Sequence, residues 1–132
     1  MWAVGAVSSL CICVVLAAGC GGVSGNATVE RDISRGLSDI QSVHDRKALQ
    51  AKLTVLVAKL RRDQATSEST RHARALAIRG FAAKLESIAA EREFDENDSG
   101  EVAEATRDAA RADAYRARAD NLLRAAEQAL HD

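Results

Sequence analysis

Two apolar stripes that cannot share one helix face set the problem this chain has to solve. Val29, Ile33, Leu37, Ile40 and Val43 recur every three or four residues, and so do Leu49, Leu53, Leu56 and Leu60. Each run by itself describes one face of an α-helix. Placed on a single helix at about 100° per residue, the second run points roughly half a turn away from the first. Either one helix buries two opposite faces, or the chain breaks near His44-Asp45-Arg46-Lys47. The reading favours a break or sharp kink, with Ser42 or Asp45 as the cap of the new helix.

Downstream, Asp63 to Ser69 is polar and rich in capping residues, so it reads as a helix–helix turn in which Ser67, Ser69 and Thr70 act as caps. The next helix is expected over about residues 70–92, with Ile78, Phe81, Leu85 and Ile88 as its seam. Gly80 inside it costs about 1 kcal/mol relative to Ala, which points to close approach of a neighbouring helix. Phe94 to Gly100 forms a second turn, where Asp98 and Glu101 have capping-box spacing. The last helix, over about 99–130, carries a seam of Val102, Ala105, Ala109, Ala112, Ala119, Leu123, Ala126 and Leu130. Arg116 interrupts that seam and, with Asp120 and Arg124, is expected in a solvated charge ladder. With no proline and 3% aromatic residues, the chain points to an all-α domain. The expected fold is an antiparallel helical bundle of three long helices, the first broken near residue 44, filling residues 27–132 behind an N-terminal signal peptide.

The N-terminal segment is of another kind. No charged residue occurs between Met1 and Gly19, and the run closes on Leu16-Ala17-Ala18-Gly19-Cys20. An apolar core such as Val14-Val15-Leu16 followed by small residues suits a signal peptide. Small residues ending on a cysteine near position 20 resemble the lipobox of bacterial lipoproteins. That resemblance implies cleavage between Gly19 and Cys20, lipid on the Cys20 sulfur, and a domain held at the extracytoplasmic face of the cell membrane. Residues 1–19 are then the lipoprotein signal peptide, and residues 20–26, rich in Gly and Ser, a flexible tether. Plain secretory cleavage after Gly19, or retention of Trp2–Ala18 as a membrane helix, are the other outcomes the run permits. All three put the domain outside the cytoplasm. The three cysteines are Cys11, Cys13 and Cys20, so the mature domain has none left for a disulfide. Fourteen Arg against four Lys, with abundant Ala, resembles the composition of small exported actinobacterial proteins.

A net charge of -1 and the export signal argue against a nucleic-acid partner. The sharpest chemical motif is Asp95-Glu96-Asn97-Asp98-Ser99-Gly100-Glu101-Val102, which resembles the opening of an EF-hand calcium loop. Asp95, Asn97, Ser99 and Glu101 are its candidate ligands, Gly100 stands at the sharp-turn place, and Thr106 occupies the twelfth place where a bidentate Glu belongs. The plain alternative is an acidic, capped turn. His44, His72 and His131 are too scattered for a ligand set. No glycine-rich phosphate loop, HExxH or GxSxG occurs, and no nucleophile has a recognisable partner, so the chain reads as non-enzymatic and without cofactor. Arg61, Arg62, Arg71, Arg74 and Arg79 form the densest basic region, suited to anionic headgroups or cell-wall polymers. The leading expectation is a membrane-anchored helical module that binds an envelope protein or surface polymer, with a calcium-responsive module as the alternative.

Overall fold

The computed structural model describes residues 21–96 and 102–132. Their regular structure consists of four helices: α1 (Gly21–Ser42), α2 (Arg46–Arg62), α3 (Glu68–Glu96) and α4 (Val102–His131). The all-α reading holds, but the helix count is four. What was expected as one broken helix is two separate ones, because residues 43–45 leave the helical path and Asp45 starts afresh. The Asp45 side chain accepts from the Lys47 amide at 3.1 Å, satisfying one of the donors a helix start leaves open. Ser42, the other candidate cap, instead donates its hydroxyl to the Ser38 carbonyl at 2.8 Å. The break does what the two stripes required. Val29 and Ile33 of α1 and Leu49, Leu53, Leu56 and Leu60 of α2 are all buried in one core.

Each helix runs antiparallel to the one before it. Between α1 and α2, Asp32 meets Lys59, and Asp39 meets Lys52. Between α2 and α3, Asp63 meets Arg74 while Arg46 meets Glu91. Along α3 and α4, Gly80 lies against Leu123, Glu91 against Arg116 and Glu93 against Arg111. Phe81 is fully buried at the middle of the core. Its ring fits because α1 presents Gly36 there: a Cβ at residue 36 would lie 2.5 Å from Phe81 Cζ and also meet Leu56. Gly80 serves α4 in the same way, since a Cβ there would come 2.7 Å from Leu123 Cδ2 and 3.2 Å from the Leu123 backbone nitrogen. The close approach expected at Gly80 is present.

Two other expectations need correction. The tether expected over residues 20–26 is helical from Gly21 onward. Gly25 lets α1 press on the α2–α3 turn, where a Cβ would be 2.6 Å from the Gln64 carbonyl oxygen. Asn26 Oδ1 accepts from the amides of Thr66 at 2.8 Å and Ser67 at 3.3 Å. The turn supplies the partners that a Gly-rich segment alone lacks. The α4 seam is also shorter than expected: Val102 is 80% exposed and Ala109 is exposed, whereas Ala112, Ala119, Leu123, Ala126 and Ala129 are buried. In α3, Phe81 and Ile88 are buried, but Ile78 and Leu85 only flank the core, and Ala73, Ala77 and Ala83 fill it.

Candidate functional site

The start of α2, the end of α3 and the middle of α4 converge on a cleft of about 270 Å3 lined by Arg46, Glu91, Phe94, Asp95, Asp113 and Arg116. Glu91 is its hub. Glu91 Oε1 accepts from Arg116 Nη2 at 2.6 Å and from the buried Ser87 hydroxyl at 3.2 Å, while Oε2 lies 3.7 Å from Arg46 Nε. Arg46 pairs in turn with Asp95, and Arg116 Nη1 donates to Asp113 Oδ1 at 2.8 Å. Burial alone would push the Glu91 carboxyl up. The hydrogen bond and charge of Arg116, helped by Ser87 and Lys84, outweigh that and hold it below the usual carboxylate range. Hydrogen bonding to Asp95 raises the Arg46 pKa, and hydrogen bonding to Glu91 raises that of Arg116. Glu91, Arg46 and Arg116 therefore stay ionised at neutral pH, and their pairs clamp three helices.

This geometry bears on two readings. Arg116 was expected in a ladder with Asp120 and Arg124, yet it reaches across to Glu91 and back to Asp113. Asp95, the first candidate calcium ligand, belongs to the last turn of α3 and spends its carboxylate on Arg46. Asn97, Ser99 and Glu101 lie outside the described residues, as do Gly19 and Cys20 at the lipobox. His44 lies in the turn between α1 and α2, while His72 and His131 are on α3 and α4 at the opposite end. Among the described residues, no group of three or more His, Cys, Asp or Glu gathers at one point.

A larger groove of about 640 Å3 runs along the outside of α1 and α2, lined by Asp32, Arg35, Asp39, Lys52, Val55 and Lys59. Both of its carboxylates and both of its lysines are mutually engaged. Lys52 donates to Asp39 at 2.7 Å, and Lys59 pairs with Asp32, whose side chain is 2% exposed. Between the two pairs Val55 stands 68% exposed. Asp32 is a site residue beyond those the motifs single out, although Val29, Asp32, Ile33 and Gly36 share the spacing of a single face. That spacing already places a carboxylate in the core, where it needs a cation.

The basic region divides in two. Arg74 donates inward to the Asp63 carbonyl and is half-buried. Arg61 and Arg62, in the last turn of α2, and Arg71, at the start of α3, are exposed and form no ion pair among the described residues. Arg79 lies two helical turns further along α3. Among the described residues, no helix is long and apolar enough to cross a membrane. No protein-family model, curated protein or solved structure matches the chain.

Proposed function

We propose that this chain is a lipid-anchored, extracytoplasmic helical module that binds a protein or surface polymer of the cell envelope and performs no chemistry of its own. The lipobox-like run ending at Cys20 supports the anchor. The observation that carries the binding reading is the way polar groups lining the two clefts are engaged with one another. Glu91, Asp95, Asp32 and Asp39 each face a cation, so these carboxylates are engaged in holding helices together and none stands free beside a candidate nucleophile. What such surfaces offer a partner is shape and exposed apolar area, such as Val55 in the α1–α2 groove.

Two measurements test this. Metabolic labelling with a fatty acid should mark the wild-type chain and fail in Cys20→Ala, which should accumulate unprocessed precursor; equal labelling would remove the anchor. A photo-crosslinker at Val55 should capture a defined envelope component that a crosslinker at exposed Ala110 does not. Turnover of a defined substrate by the purified chain would overturn the non-enzymatic reading.

A further inference from the structure

The helical start of α1 fixes which end of the bundle lies nearest the residue that precedes it. Gly21 follows Cys20 directly, and from Gly21 the chain rises only about 1.5 Å per residue. Gly25 and Asn26 then touch the α2–α3 turn, and the Glu30 carboxylate lies 3.5 Å from the Thr70 hydroxyl. The turn therefore sits about 6 Å along the axis from Gly21, and Thr70 about 14 Å. A flexible tether would have left the bundle free to tumble; this one hands the α2–α3 end to whatever holds residue 20.

That end carries Arg61, Arg62 and Arg71, three exposed guanidiniums that form no ion pair among the described residues. Opposing carboxylates are present, but they are engaged elsewhere or stand apart. Asp63 lies 3.8 Å from Lys59, Asp32 is paired with Lys59, and Glu68 and Asp132 bridge to none of the three arginines. We infer that Arg61, Arg62 and Arg71 form a membrane-facing surface that rests on anionic lipid headgroups and holds the bundle end-on. The inference rests on the reading that the chain is anchored at residue 20, because an anchor there holds this end at a bilayer. Headgroups carry the complementary charge. The attraction of an anionic leaflet extends about one Debye length, 8–10 Å at ordinary ionic strength, and the long arginine side chains bring their charges into that layer. Each such cation strengthens surface association about fivefold, so the three together amount to roughly a hundredfold.

The test uses the full chain with Cys11→Ser and Cys13→Ser, purified from membranes and reconstituted into phosphatidylcholine vesicles with or without phosphatidylglycerol. Mass spectrometry of the same sample reports whether Cys20 carries lipid, so loss of the anchor reading is seen separately. Where Cys20 carries no lipid the anchor reading itself has failed, and the chain is held by its uncleaved N-terminal segment; the quenching is then measured with Cys20→Ser added, so that the fluorophore sits only at the introduced cysteine. A fluorophore is attached through Ser69→Cys, beside the arginines, or through His44→Cys at the far end, and quenched by headgroup spin labels. Expected is several-fold stronger quenching at Ser69 than at His44 in phosphatidylglycerol vesicles. That difference should be lost in high salt and in Arg61→Gln/Arg62→Gln/Arg71→Gln, while the helical circular dichroism of the triple variant is unchanged. Equal quenching at the two positions would overturn the inference. So would Ser69 quenching indifferent to phosphatidylglycerol, or a triple variant that keeps its quenching but loses retention on purified cell-wall polymer.

Discussion

Gly36 and Asp32 lie one helical turn apart on α1, and each reverses what its residue type suggests by itself. Alanine at position 36 would gain about 1 kcal/mol of helix propensity, but its Cβ would stand 2.5 Å from the buried Phe81 ring. Overpacking of a tight core costs about 1–3 kcal/mol, so Gly36→Ala should lower the melting temperature, whereas propensity alone predicts a rise. Asp32 is buried and depends on Lys59. Removing one member of a buried pair costs about 3–5 kcal/mol, and the half-exposed ammonium reduces that here, so Lys59→Met should destabilise by about 2–3 kcal/mol in denaturant unfolding. Lys52→Met, which breaks the more exposed pair to Asp39, should cost less than about 1 kcal/mol. Asp95 differs again, because its carboxylate is paired with Arg46. Millimolar calcium should leave the melting temperature unchanged beyond its salt effect, and Asp95→Ala should shift the melt equally with and without the ion. A calcium-dependent gain lost in Asp95→Ala would support the calcium-loop reading.

The helices show which parts of the fold were legible in the sequence. The break between α1 and α2 could be read from the phase of two apolar stripes, because periodicity is a property of each helix alone. Asp45→Ala should remove its cap and cost about 1 kcal/mol in thermal unfolding, while Ser42→Ala should cost little. The close packing at Gly80 was legible for a similar reason, since glycine within a good helix needs an explanation from outside it. The helical start of α1 was not legible. Gly-Gly-Val-Ser-Gly-Asn has poor helix propensity, and what holds Gly25 and Asn26 is the Gln64–Ser67 turn, about 40 residues away in the chain. The exposed first turns of α4 escaped notice too, because the Ala-rich heptad continues whether or not another helix lies opposite. The Glu91 cluster draws on three helices, and no local spacing announces contacts of that kind.

At the scale of the whole molecule, Glu91 ties α3 to α2 through Arg46 and to α4 through Arg116. Its folded pKa lies below that of the unfolded chain, so its contribution to stability is present above the unfolded value, about 4.3, and fades as pH falls through the folded one. The melting temperature should therefore drop between about pH 5 and pH 3, and Glu91→Gln should flatten that drop while lowering the plateau above it. A wild-type profile no steeper than that of the variant would show that the cluster does not couple folding to protonation. The grip of Asn26 on the α2–α3 turn also has a mechanical side. A load applied at Gly21, where α1 starts, passes along the helix axis, and the contacts of α1 with α2 and α3 run the same way. A pull in that direction has to slide the helix past its neighbours along many contacts at once, instead of peeling it away one turn at a time. The first helix is thus a stiff handle, able to pass a load applied at its start to the bundle without first spooling out slack.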